Sequence, residues 1–442
     1  MMDRTARSPC SIDGLRTARI AHATALRLWV ATVTALMFGW SAAPAFAQAQ
    51  TETERKLEQA LRTIEDLSRR VRELESRVAP APAAPASAAA PAPAPEMAPA
   101  PASDRGHDNM ATTKPPVVLR GFADVGWHGT SGGLKGFTDG SLSFYLTPRL
   151  SDSVKSLIEF IFERDSNGDL TTDVERLQIG YTFENGATAW LGRFHTPLGY
   201  WNTAYHHGQQ LQLSVLRPQF IDFEDHGGIL PVHTVGLLGT GAVNAGGGRV
   251  SYDLYAGNSP SIRDNTLNPN DIGRLESGSA LGFNLGYLFS GNADGLKIGV
   301  HGYRGDVRDD ASPANRTRLN ILGAYAALDS PLWEVVAEYY HFRNEDLSGG
   351  TGRYASWAGF AQAGRRFDLW IPYARVERAS LDQADNYFAL QASGRSYRRL
   401  AFGLRYDLTP DSALKAELGR TRREESPTVD FNQLLMQFAI RF

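Results

Sequence analysis

From Val117 to Phe442, apolar and polar residues alternate in short runs separated by turn residues. The last run shows this most plainly. Leu434, Met436, Phe438, Ile440 and Phe442 are apolar, while Gln433, Gln437 and Arg441 between them are polar. Period-2 alternation over about ten residues fits a strand that crosses a bilayer in a barrel, with lipid on one side and water on the other. The same rhythm sets Leu177, Ile179, Tyr181 and Phe183 against Arg176, Gln178 and Thr182. It sets Leu400, Phe402, Leu404 and Tyr406 against Arg399, Arg405 and Asp407, and Leu296, Ile298 and Val300 against Lys297 and His301.

Strands are predicted near 117–127, 139–150, 153–163, 173–183, 188–195, 231–241, 249–257 and 278–289. More follow near 296–304, 317–328, 332–343, 353–366, 369–379, 396–408, 413–421 and 431–442. The connections alternate in length. Ser151-Asp152, Glu184–Ala187, Asn292–Gly295, Asp329–Pro331 and Thr409–Ser412 are short and carry turn chemistry. Arg164–Thr172, Asn258–Ser277, Gly305–Arg316, Ser380–Gly394 and Arg422–Asp430 are longer and polar. Short turns on one side and long loops on the other predict an all-β, transmembrane antiparallel barrel of about sixteen strands. A soluble sandwich would not alternate its loop lengths in this way.

The first part of the chain reads differently. Arg16, Arg19 and Arg27 precede an apolar stretch from Leu28 to Trp40, and Ala45-Phe46-Ala47 offers small residues for cleavage. Residues 1–47 are expected to be a secretory signal peptide. In 48–78, Leu57, Ile64, Val71 and Val78 fall seven apart, with Ala60, Leu67 and Leu74 completing an a/d seam among mixed charges. So short a helix is marginal alone in water, which predicts a coiled coil with a partner. Residues 79–116 collapse to Ala and Pro, a semi-rigid spacer. The barrel is expected to occupy 117–442.

Composition removes several function classes. No apolar run after the signal is long enough for a transmembrane helix. The only cysteine, Cys10, lies in the signal, so a disulfide framework, a Cys-ligated metal and a Cys nucleophile are excluded from the mature chain. A formal charge of −3 gives no sign of nucleic-acid binding.

One connection stands apart. His195 to about Leu230 spans about thirty-five residues, far above usual loop lengths, and such loops are functional or disordered. Tyr200, Trp201, Tyr205, Phe220 and Phe223 make this one too aromatic for disorder. Here the chain resembles the trimeric sixteen-stranded bacterial porins, in which the third outer loop follows the fifth strand and folds inward to narrow the pore. The coiled coil and spacer are similar to porins with a periplasmic stem, of sucrose-porin, dicarboxylate-porin or phosphate-selective-porin type. The resemblance rests on strand count, loop position and the terminal Phe442. It implies a homotrimer in the bacterial outer membrane with its stem in the periplasm, and passive diffusion of small hydrophilic solutes. Phe442 would be the signal read by the barrel-assembly machinery. The competing reading is a non-conducting structural barrel, tethered to periplasmic partners or the cell wall.

On this reading the constriction would comprise Gln209, Gln210, Arg217, Asp222, Glu224 and Asp225, faced by Arg176 and Arg193. Alternation projects Arg120, Arg249, Arg375, Arg399, Arg405, Lys415 and Arg441 into the lumen, opposed by acids such as Asp124, Glu159, Glu338, Glu377 and Glu417. Such a wall either pairs its charges for stability or gives a weak preference for anions. His195, His206, His207, His226 and His233, with Glu224 and Asp225, are ligand types for a transition metal. No HExxH or comparable spacing supports a site, so neither a metal nor any other cofactor is expected. No Ser or Asp lies at a telling spacing from these histidines, so no enzyme is expected either.

Overall fold

The computed structural model describes residues 118–442 apart from 149, 165–167, 225–226, 269–272, 274–277 and 350–351, together with Arg69. The signal, coiled-coil and spacer expectations therefore lie outside the described residues.

Sixteen strands form the wall among the described residues. They are β1 (Val118–Thr130), β2 (Leu142–Thr147), β3 (Val154–Arg164), β4 (Leu170–Thr182), β5 (Thr188–His195), β6 (His233–Ala245), β7 (Gly248–Ser259) and β8 (Gly278–Leu288). The second half comprises β9 (Leu296–Asp309), β10 (Arg316–Asp329), β11 (Trp333–Asp346), β12 (Arg353–Arg365), β13 (Trp370–Ser380), β14 (Tyr397–Thr409), β15 (Ser412–Arg423) and β16 (Val429–Arg441). Each strand pairs antiparallel with its neighbours in sequence, and β16 returns to β1 with Phe122 opposite Arg441. Closure leaves the sheet with no free edge strand, so the ladders satisfy wall amides and carbonyls without water, as a bilayer requires.

Alternation decides the two faces. Leu177, Ile179, Leu191, Leu237, Leu254, Leu322, Val376, Phe402 and Leu418 point outward and are exposed. This is an apolar belt suited to lipid. Tyr255, Tyr303, Tyr340, Phe342 and Phe360 point inward and are buried. The Gly246-Gly247 turn between β6 and β7 holds φ of 59° and 78°, values that glycine adopts without strain.

Most predicted strands lie within a few residues of the observed ones, and 188–195 coincides with β5. β2 is shorter than the predicted 139–150. A break at Gly140, with φ of 56°, separates it from Lys135–Thr138, which pairs with β1 alone. A Cβ on Gly140 would meet the Asp124 carbonyl oxygen at 2.4 Å, so the break needs glycine. Two loops expected to be simply polar fold onto the core. The loop after β7 carries a small hairpin, Ser261–Arg263 with Thr266–Asn268, that buries Ile262 and Leu267. The loop after β13 carries a helical turn, Asn386–Ala389, that buries Tyr387 and Phe388.

Candidate functional site

The wall leaves off at His195 and resumes at His233. Between them the chain turns inward. Trp201, at the start of α1 (Trp201–Ala204), is fully buried with its ring 5.5 Å from Phe360 of β12. Phe220 packs 5.3 Å from Tyr340 of β11. The aromatic residues that made disorder implausible are thus the contacts that seat the loop on the inner wall.

A buried loop must also satisfy its own amides and carbonyls. Charged wall side chains do this. Glu338 accepts the Tyr200 and Trp201 amides at 3.1 and 2.7 Å. Arg375 on β13 donates to Ser214 Oγ and to the Leu216 carbonyl, both at 2.7 Å. Arg405 on β14 reaches the Gln210 and Gln212 carbonyls at 2.6 and 3.0 Å. Lys415 on β15 donates to the carbonyls of Gln209 and Ser214. Glu417 accepts the Val215 amide at 3.1 Å and Glu377 the Gln219 amide at 2.8 Å. β5 and β13 stand half the ring apart, so the loop crosses the lumen and is fastened on the far side.

This changes the role of several expected lumen residues. Arg375, Arg399, Arg405 and Lys415 do face inward, but they are only 1%, 6%, 8% and 2% exposed. Arg375, Arg405 and Lys415 bond the loop, and Arg375, Arg399 and Arg405 pair with acids. Arg375 holds Glu377 at 2.8 Å, and Arg399 holds Glu417 at 3.1 Å. Arg375, Arg405 and Lys415 anchor the loop, and Arg399 braces the acids that accept its amides. Arg441 pairs with Asp411 in a short turn at 2.7 Å, while Arg120 and Arg249 are exposed on strand ends near the short turns.

The expected constriction divides as well. Gln210, Arg217 and Glu224 are buried inside the loop. Arg217 donates to the Ile221 and His206 carbonyls, and Glu224 accepts the Val232 and His233 amides. Gln209, Asp222, Arg176 and Arg193 keep partial exposure, and Asp225 lies outside the described residues. Arg176 is tied to Glu159 at 2.5 Å, and Arg193 donates to the Glu175 carbonyl, so neither is a bare charge aimed at the loop.

The histidines assemble with a partner that the alternation missed. His195, His206, His207 and His233 converge on Glu175, all with little exposure. Glu175 is the extra residue of a bulge in β4, where Glu159 pairs with Arg176 and Phe160 with Val174. Strict period-2 reading puts it on the lipid face with Leu177. A carboxylate in that position is itself the signal that the register breaks there. Glu224 stands behind His233, and His226 lies outside the described residues.

No protein-family model and no curated protein matches the sequence. Among solved structures, DcaP, an outer membrane channel of Acinetobacter baumannii, matches at 12% identity over 74% of this chain and 97% of that one, with a TM-score of 0.46. OmpF of Salmonella typhi matches at 13% over the same shares, with a TM-score of 0.47. The barrel is similar to an anion-selective porin from Comamonas acidovorans at 10% identity, over 74% of this chain and 99% of that one, with a TM-score of 0.52. That last likeness is one of fold.

Proposed function

We propose that the protein is an outer-membrane porin, a passive channel through which small hydrophilic solutes diffuse without any bond change. The observation that carries this is the inward loop, which crosses a closed, lipid-belted barrel and narrows it from within. The loop lies against β8–β15 and meets the near wall at Glu175 of β4. Inward groups on the other side, Asp124, Tyr145, Lys155 and Arg176, together with Gln209 of the loop, keep partial exposure. We assign the water path to that side, off the barrel axis. Arg120 and Arg249 near the short-turn mouth support a weak preference for anions. Assembly as a homotrimer, with the 48–78 coiled coil in the periplasm, belongs to the same proposal.

The close packing of the loop also favours a second reading, a sealed structural barrel. Planar-bilayer recording separates the two. Discrete conductance steps are expected from the wild type, and deletion of about ten residues around Tyr205–Gln212 should enlarge them and admit larger solutes. A silent wild-type barrel rejects the channel. Steps and size cutoff that the deletion leaves unchanged place the loop outside the path.

A further inference from the structure

We propose that Glu175, His195, His206, His207 and His233 form a binding site for one divalent transition metal of the zinc class, which clamps the inward loop to the wall. This goes beyond the channel reading and does not depend on it.

One ligand-type atom from each of the five residues lies within 4.8 Å of all the others. Glu175 Oε2 is 2.5 Å from His233 Nε2, 3.2 Å from His207 Nε2 and 3.8 Å from His206 Nε2. His206 Nε2 and His233 Nε2 are 3.1 Å apart. Bonds of 2.0–2.1 Å in a tetrahedral site separate neighbouring ligand atoms by about 3.3 Å, so these spacings need only small adjustments to share one ion.

An apolar core has no use for this arrangement. Buried polar atoms ordinarily find hydrogen bonds. Here Glu175 Oε2 and both ring nitrogens of His207 make none of good geometry, although Glu175 Oε2 and His207 Nε2 are 3.2 Å apart; His195 Nε2 makes none either and lies 3.4 Å from Glu159 Oε2. A cation at the centre would take up these lone pairs together, and the carboxylate would offset part of its charge. Imidazole nitrogen with one carboxylate oxygen selects zinc and its neighbours over calcium or magnesium, which prefer oxygen alone.

The groups behind the cluster are those a metal site requires. His206 Nδ1 is 2.8 Å from Asn202 Oδ1, and His233 Nδ1 is 3.1 Å from Glu224 Oε2. Each acceptor holds the proton on Nδ1 and leaves the Nε2 lone pair aimed at the centre, which fixes tautomer and ring orientation. Asn202 and Glu224 are themselves held, by Arg217 and by the Val232 and His233 amides. Phe223 stacks on His207 with centroids 4.5 Å apart and shields the cluster. The ligands come from β4, β5, the loop and β6, so an ion here would join the loop to its own roots.

The test uses the full chain, folded in detergent and dialysed against EDTA, with cobalt(II) alone as the probe and zinc as competitor. One cobalt per chain is expected, with the intense visible bands of a four- or five-coordinate ion, displaced by one equivalent of zinc. The His207→Ala/His233→Ala double variant should lose the bands, while His341→Ala, on the outer face, keeps them. Glu224→Gln should weaken cobalt binding by roughly 10–100-fold, the usual effect of removing an outer-shell carboxylate. Substoichiometric uptake by the wild type overturns the proposal, and so does a folded double variant that binds as the wild type does. The wild-type measurement needs no variant, so a variant that fails to fold does not spoil the test.

Discussion

Replacing Arg375 with Met tests whether wall charges hold the loop. The Arg375 side chain is fully buried. It gives the loop two short bonds, to Ser214 Oγ and the Leu216 carbonyl, and one long one to the Arg217 carbonyl at 3.4 Å. It also faces Glu377 at 2.8 Å and Glu417 at 3.7 Å. A hydrogen bond to a charged group contributes about 1.5–3 kcal/mol, so the two short bonds alone come to roughly 3–6 kcal/mol. Breaking a buried ion pair by removing one member costs about 3–5 kcal/mol, and Arg399 remains to screen the two acids. The expected loss for Arg375→Met is therefore about 3–5 kcal/mol. Arg375→Lys keeps the charge but not the planar fork, and should lose roughly half as much. The control is Arg422→Met on the outer face, where a change within about 0.5 kcal/mol is expected. Urea unfolding of the barrel in lipid vesicles reads the stability, and bilayer recording of the same samples reads the loop as added current noise or larger steps. A loss below about 1 kcal/mol for Arg375→Met, with currents like those of the wild type, would refute the reasoning.

Three further outcomes are expected. Burial pushes the Asp385 carboxyl up to about 6, against opposing hydrogen bonds from Asn344 and the Tyr387 amide. A raised carboxyl stabilises the folded loop when protonated and loses that contribution as pH rises through about 6. Amide exchange in 385–392, corrected for intrinsic rates, should therefore be slower near pH 5 than near pH 7. An equal pH difference in Asp385→Asn would disprove the assignment. Removing Phe442, or replacing it with Asp, should lower outer-membrane levels, because its backbone bonds Gly121 and its ring packs 6.0 Å from Phe144. Unchanged abundance at several expression levels would count against a role in insertion. A chain lacking 48–116 should still run as a heat-modifiable trimer on semi-native gels, and a monomer would make the stem essential to assembly.

The wall was legible because lipid and water impose opposite demands on successive residues. Ile179 and Gln178 could be sorted by chemistry alone, and so could Leu400 and Arg399. What covers a residue is not written in its own strand. Alternation put Arg405 and Lys415 on the inner face, but nothing local says that carbonyls from Gln209–Ser214 occupy the space before them. Glu175 was hidden because one extra residue in β4 breaks the period. The second inward loop was hidden by dilution. Leu381, Tyr387, Phe388 and Leu390 are its large apolar residues, set among polar neighbours. Their partners, Phe342 and the Ile229 carbonyl, are distant in sequence.

The fastening of the long loop also constrains how the molecule can come into being. Its roots at Glu175, His195 and His233 are near in sequence, but its far latches are not. Gln210 bonds the Pro410 carbonyl across 200 positions, and Arg375 bonds Leu216 across 159. Those latches cannot close until β13–β15 exist, and the seam between Gly121 and Phe442 joins the two ends of the wall. The loop can therefore reach its final seat only in a chain whose last strands are already present, which ties the filling of the barrel to the completion of its wall.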